Sequence, residues 1–409
     1  MSAAAFRNWV MLEQFVFRRD RKRSFPDGST VPIRASGTTS WGAKFSVAFD
    51  FTDPPRISRL YAKLRGFPGP NEQVPLAIVA THRHLILLRI GMVTPSRVRM
   101  QDLFIYSAYD PSSLKAIPHC TEPDMNYTRA DHRPPRQLRH TGKARLLSLK
   151  SLGLSCRGDE FVVAELKLFK ANRKWKAMRL PIDVRNIGNI SDNTDDYWQL
   201  CPWQTEAVTS FNRCLCWIDY ARGILVCDVF IEPTPTTVSF LRFPVCSRGS
   251  SWLYRGLTAI DDGNALMFVD VARNDDIGYG ELKPGAGFTI SCYKLIDMVW
   301  IKEREDVTSE DLWKYNPSER LPRTILMFPQ VDINKPDVVH FLISSFGKVM
   351  KKMWVVSINM ETKAVESLYQ YINGFDDLRT MDADLTREKS GCPLPFLPCQ
   401  FPKFLHSSS

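Results

Sequence analysis

Residues 209–230, TSFNRCLCWIDYARGILVCDVF, restrict the fold more than any other stretch of the chain. Two apolar runs, 214–218 and 223–230, are separated only by Asp219-Tyr-Ala-Arg222. Four residues are too few for the crossover that parallel strands need, so the runs predict a β-hairpin. The pattern repeats at 257–260 and 265–271, joined by Asp261-Asp-Gly-Asn264. In that turn Gly263 and Asn264 are the residues expected to take positive φ.

Further runs of this kind occupy 9–17, 41–51, 74–80, 85–90, 102–108, 146–154, 160–169, 175–182, 288–296, 338–343, 352–358 and 365–371. Short strands therefore arrive about every 8–15 residues. The 27 prolines, spread along the chain, oppose long helices. Residues 308–315, TSEDLWKY, predict a helix with a hydroxyl cap and acids in its first turn, ended by Asn316-Pro317. The expectation is an all-β, β-propeller-like single domain over residues 1–389, with about six or seven divergent four-stranded blades and few short helices. N-terminal strands would close the ring, residues 119–143 would form a long basic loop, and 390–409 an irregular tail. No blade carries a G-H…W-D or kelch signature, so the repeats must have diverged.

Charge is unevenly placed. The net charge is +10, yet residues 1–150 hold 24 Lys+Arg against 11 Asp+Glu, a net of +13, and the rest of the chain is at −3. A basic face for an acidic protein or for RNA is one cause; a solvated basic surface is the plainer one. Arg129, Arg133, Arg136, Arg139 and Lys143, within the 119–143 stretch, are the candidate partner-binding residues. Tyr127 is the one aromatic among them, whereas single-strand nucleic-acid platforms interleave several. The run Arg18-Arg-Asp-Arg-Lys-Arg23 is expected to be a charged loop tip, with nuclear import as its functional alternative.

The ten cysteines form no C-x-x-C and several sit within apolar runs, which predicts buried free thiols in a reducing compartment. No signal peptide or membrane-spanning run is expected. Metal and catalytic motifs are also missing. His82 and His84 form the one H-x-H, and on a strand their rings would share a face, but no third ligand at a recognisable spacing joins them. Asp382-Ala-Asp384 lacks the glycine that a calcium loop needs. The chain has no G-x-S-x-G elbow, H-E-x-x-H or Walker A loop, and Gly278, Gly280, Gly285 and Gly287 do not have dinucleotide spacing.

Several stretches carry a resemblance: Asn8-Trp-Val-Met-Leu-Glu, Arg34-Ala-Ser-Gly, Leu149-Lys-Ser-Leu-Gly-Leu-Ser-Cys156, Cys216-Trp-Ile-Asp-Tyr-Ala-Arg-Gly-Ile-Leu, Ser251-Trp-Leu-Tyr-Arg-Gly, Phe268-Val-Asp-Val-Ala-Arg273 and Lys351-Lys-Met-Trp-Val-Val-Ser357. Together they resemble a grass-expanded plant family defined by a central domain of unknown function. The strand pattern is also similar to the propeller-like domain found behind plant F-boxes. The resemblance implies a plant intracellular protein and supplies no activity or catalytic residues. The resulting expectation is a monomeric, non-enzymatic scaffold for a protein partner, cytoplasmic and/or nuclear. It carries no cofactor or metal and has no membrane contact. RNA binding through the basic first third is the alternative.

Overall fold

The computed structural model describes residues 8–21, 24–67, 75–93, 99–123, 140–144, 146–166, 168–171, 174–177, 182–184, 203–231, 238–246, 251–275, 277–345, 351–391 and 393–405. They form a mostly β protein assembled from antiparallel meanders. Strands Ile33–Thr38, Lys44–Asp50 and Ile57–Lys63 make the first meander. Leu76–His82, Leu85–Val93, Arg99–Ser107 and Asp110–Ile117 make the second, joined to the first where Ser36 pairs Ser113. Val10–Arg18 adds in parallel to Ile57–Lys63, and Leu397–Cys399 adds outside it. The resulting nine-stranded sheet nearly closes on itself like a barrel: its end strands meet where Thr81 Oγ1 donates to the Pro398 carbonyl at 2.6 Å. Phe45, Phe49, Tyr106 and Phe401 fill its interior, with the Tyr106 and Phe401 rings stacked at 5.0 Å.

Three further meanders follow. The first runs Ala207–Phe211, Cys214–Asp219, Gly223–Asp228 and Val238–Arg242. The second runs Arg255–Ile260, Ala265–Arg273, Phe288–Ile296 and Val299–Lys302. The third runs Met327–Val331, Val338–Ser344, Lys352–Asn359 and Ala364–Asn373. Their inner strands are largely apolar because both faces are covered; all seven residues of Val338–Ser344 are buried. The hairpin Leu152–Arg157/Glu160–Glu165 turns at Gly158-Asp159, with Gly158 at φ +57°, and sits between the second and third meanders.

Leading strands approach one another closely, and two glycines permit it. A Cβ on Gly256 would lie 1.9 Å from the Pro329 carbonyl oxygen, and one on Gly153 would lie 2.6 Å from a Val208 methyl. Both positions sit where one sheet's first strand crosses its neighbour's, so a methyl group there would force the sheets apart.

The predicted hairpins form with 214 paired to 228 and 260 paired to 265. In the second turn the left-handed residues are Asp261, Asp262 and Gly263, while Asn264 is right-handed at φ −88°. Asn264 instead donates its side-chain amide to the Asp261 carbonyl, which serves the turn without positive φ. The helix Ser309–Tyr315 carries the expected cap. Thr308 Oγ1 accepts from the Asp311 N–H at 3.1 Å and Asp311 returns the bond to the Thr308 N–H, which makes a capping box.

Two expectations need correction. The tail from 390 is not irregular throughout: its first two residues end the helix Ala383–Gly391, and it then supplies the sheet strand Leu397–Cys399 and buries Phe396, Cys399 and Phe401. The run beginning at Arg18 is not simply a charged tip either. Arg18 pairs Asp20 and donates to the Leu64 and Phe67 carbonyls. Arg19, 9% exposed, pairs Asp384 at 2.6 Å and donates to the Met381 carbonyl. The ends of the 119–143 stretch pair as Thr121–Pro123 with His140–Ala144.

The first and last parts of the chain meet at a buried charge cluster. Glu13 is fully buried, its Oε1 bound by Lys389 Nζ at 2.8 Å and by the Phe15 N–H at 2.8 Å, and its Oε2 bound by the Tyr371 hydroxyl. Lys389, 2% exposed, also donates to the Leu394 carbonyl and lies over the Phe396 ring. Burial, reinforced by the Glu13 carboxylate, pushes the Tyr371 hydroxyl far above its ordinary range, so the phenol stays protonated and donates. Removing one partner leaves the other charge buried and unpaired, which typically costs about 3–5 kcal/mol. Lys389→Met is therefore expected to lower the urea midpoint sharply. The double variant Glu13→Gln with Lys389→Met should recover a large part of that loss, measured by tryptophan fluorescence.

Candidate functional site

The leading strands converge on a cavity of about 400 Å³. Its wall takes backbone from Leu76–His82, Leu152–Arg157, Ala207–Phe211, Arg255–Ile260, Met327–Val331 and Leu397–Cys399, so every large sheet contributes. Residues lining it also include Gln14, Lys150, Glu206, Tyr220, Trp252 and Phe328. That mixture of aromatic wall and few polar groups is the usual make-up of a ligand pocket.

Glu206 stands apart in this lining. Its Oε2 accepts the Tyr220 N–H at 2.8 Å, and its Oε1 has no hydrogen-bond partner among the described residues. Burial pushes its carboxyl above the usual range, the neighbouring Asp219 adds to this, and the Tyr220 N–H, Lys150 and Arg222 pull it back. Asp219 itself is fully used: it accepts from the Gln204 and Ala221 N–H groups and pairs Arg222 at 2.7 Å. Arg255 is likewise spent on Asp270 at 2.6 Å and on the carbonyls of Tyr220, Val245 and Cys246.

A second cavity of about 410 Å³ lies beside it, lined by Cys246, Tyr254, Arg255, Asp270, Arg273 and Ser291 among others. It looks polar, but its charges are committed. Arg273 gives all five guanidinium protons to Asp275, Tyr254 Oη and the Gly280 and Glu281 carbonyls. Those bonds hold the Asp275 carboxyl well below the usual carboxylate range. No donor of Arg273 is left for an incoming anion.

Two arrangements in the structure have the composition of catalytic sites. Ser357 Oγ lies 2.8 Å from His340 Nδ1, and His340 Nε2 lies 3.3 Å from Asp332 Oδ2, while Ser367 Oγ donates to Ser357 Oγ. His340 and Ser357 are each 3% exposed and line neither large cavity, so no substrate carbonyl reaches the hydroxyl without opening the sheet. The chain of bonds ties three adjacent strands, and Trp9 Nε1 joins it by donating to Asp332 at 3.1 Å. His82 and Cys156 are the second pair, with Nδ1 and Sγ 3.2 Å apart. Burial drives the imidazole down to about 4 and the thiol up to about 11, and Nδ1 already accepts the Cys156 N–H at 2.9 Å. Both groups are therefore neutral, the opposite of a thiolate–imidazolium nucleophile.

The two histidines of the H-x-H do not share a face. Arg83 between them takes φ +49° and turns the chain, sending His82 to Cys156 and His84 onto the Tyr109 ring at 4.3 Å. Neither is freely exposed. Among the described residues no three His, Cys, Asp or Glu side chains are grouped to hold a metal ion. Asp382 and Asp384 face arginines, Asp382 gripping Arg59 through both oxygens. Of the candidate partner-binding residues, Arg129, Arg133, Arg136 and Arg139 lie outside the described residues, and Lys143 belongs to the strand His140–Ala144. The sequence pattern did not single out Glu206, Tyr220 or Trp252. Each is locally ordinary, and only the convergence of separate sheets places them around one space.

Residues 217–340 match the model of a family described as a protein of unknown function (DUF1618). The matched segment starts within Cys214–Asp219 and ends in Val338–Ser344, so it carries Tyr220, Trp252, Arg255 and Phe328 of the cavity wall but neither Lys150 nor Glu206. No curated protein matches the chain.

Thiol chemistry provides a check on this geometry. Cys120 and Cys246 are exposed, whereas Cys216, Cys292 and Cys399 are buried and pushed upward by desolvation, Cys292 to about 11 and Cys399 to about 12. Iodoacetamide at pH 8 is expected to modify Cys120 and Cys246 in the folded protein. Cys216, Cys292 and Cys399, like the other buried thiols Cys156 and Cys227, should react only after denaturation, as read by peptide mass spectrometry.

Proposed function

We propose that the chain is a non-catalytic interaction module whose meanders belong to about six or seven divergent, propeller-like blades around the cavity. The observation that carries this reading is the convergence of the leading strands on one space while the charged groups near it, apart from Glu206 and Lys150, are bound to one another. Such a scaffold offers rigid sheets with connecting loops grouped at their ends, the usual platform for a protein partner. The same reading includes a plant protein, monomeric, in the cytoplasm and/or nucleus. It places Arg129, Arg133, Arg136, Arg139 and Lys143 as contacts for an acidic partner.

The basic first third supports a second reading, RNA binding. Its excess is smaller in space than along the chain, because Arg19 and Arg59 are paired by Asp384 and Asp382 from the last thirty residues. Affinity capture of tagged protein from plant extract, with and without nuclease, separates the two. A stoichiometric protein partner that survives nuclease is the expected result, and loss of the captured set on nuclease treatment would favour RNA. Replacing Arg129, Arg133, Arg136 and Arg139 together by Ala should weaken that partner at least several-fold. The thermal midpoint should stay within the small range of surface substitutions.

A further inference from the structure

We propose that the central cavity is a receptor site for a cationic side chain, a lysine ammonium or arginine guanidinium on an extended segment of a partner protein, with Glu206 as its anchoring carboxylate. The proposal deepens the interaction-module reading and rests on it. It names a contact different from the basic stretch 119–143.

Three observations carry it. The cavity, at about 400 Å³, has room for a long side chain and the backbone beside it. Glu206 lines it half-buried with Oε1 uncommitted, and no Lys or Arg among the described residues lies within ion-pair distance of that carboxylate. The other charges close to it are already satisfied: Asp219 by Arg222, and Arg255 by Asp270. Finally, the aromatic residues Trp252, Tyr220 and Phe328 line the same space, and aromatic faces attract ammonium and guanidinium groups. A half-buried carboxylate with a free oxygen, in a cavity that aromatic residues also line, is complementary to a cation bearing several N–H donors.

Among the described residues, Lys150 is the opposing charge that no ion pair commits, since Arg222 and Arg255 are held by Asp219 and Asp270. It is exposed, on the short turn Leu149–Ser151, and acts on Glu206 through the field without contacting it. Anchoring at Glu206 therefore gives Lys150 a defined part: it repels the ligand and sets a ceiling on affinity. The groups that act on Glu206 are Lys150 from this turn and Asp219, Tyr220 and Arg222 from the hairpin turn, while Arg255 of the strand Arg255–Ile260 lines the same cavity, held by Asp270. Tyr220 stays neutral because burial raises it. Acidification therefore acts on binding through the Glu206 carboxyl. Since that carboxyl is raised, ligand is released at a higher pH than an ordinary glutamate would require, and binding is retained above it.

The test is isothermal titration of the full chain with three peptides, acetyl-Gly-Gly-X-Gly-Gly-amide with X as Lys, Arg or norleucine. Lys or Arg peptide is expected to bind, and norleucine, which keeps the stem and loses the charge, at least about 10-fold more weakly. Glu206→Gln retains an oxygen for the Tyr220 N–H and should lower cation affinity about 10-fold or more, with an unchanged thermal midpoint showing that the fold is intact. Lys150→Gln should raise affinity about two- to fivefold by removing the like charge. Equal binding of the norleucine peptide, or a folded Glu206→Gln variant with unaltered affinity, would sink the proposal. So would tighter binding of the matching glutamate peptide, lost on Lys150→Gln. Capture of a protein partner that is indifferent to Glu206→Gln would defeat the cavity site while leaving the interaction module standing.

Discussion

The ion pair between Glu13 and Lys389, with the Tyr371 hydroxyl on the second carboxylate oxygen, holds the two ends of the chain in one core. Its burial is almost complete, so neither charge is solvated and each depends on the other. Arg19–Asp384, Arg59–Asp382 and the strand Leu397–Cys399 beside Val10–Leu12 repeat the same connection in weaker forms. This junction is electrostatic at its centre and apolar around it, with Phe396 and Phe401 packed in the core.

The arrangement of the sheets also explains the cavity. Sheets held in a fixed arrangement bring their leading strands face to face, and Gly153 and Gly256 let two of those approaches become tight enough to wall off a space. Charges near that space are mostly consumed in holding loops and turns, as with Asp219, Arg222, Arg255 and Asp270. Polar groups elsewhere serve the same end: Asp332, His340, Ser357 and Ser367 have the composition of a hydrolase site, yet His340 and Ser357 are buried within one sheet and all four are bonded to one another. Residue type alone does not separate these uses. Access does.

Local features were legible in the chain to the extent that local physics decides them. The hairpin at 214–228 follows from two apolar runs and a connection too short for anything else. The helix Ser309–Tyr315 follows from Thr308 and Asp311 at capping-box spacing. The helix Ala383–Gly391 was not legible: its sequence ADLTREKSG has little apolar periodicity, and its Lys389 and Asp384 are held by Glu13 and Arg19 from the other end of the chain. The left-handed residues at 261–263 likewise went to both aspartates rather than to Asn264, whose amide found a carbonyl instead. The H-x-H looked like a shared face only on an unbroken strand, and Arg83 breaks it.

The sequence by itself determined the strand content, the tight turns, the capped helix and the apolar setting of most thiols, because each depends on neighbours within a few residues. Only the tertiary structure decided which charges are partners, which histidines are buried, and that Glu206 from one sheet, Trp252 beside another and Lys150 from a turn surround a common space. These outcomes depend on contacts between residues tens to hundreds of positions apart. In such contacts burial and pairing are settled by which sheets meet, and no periodicity along the chain records that.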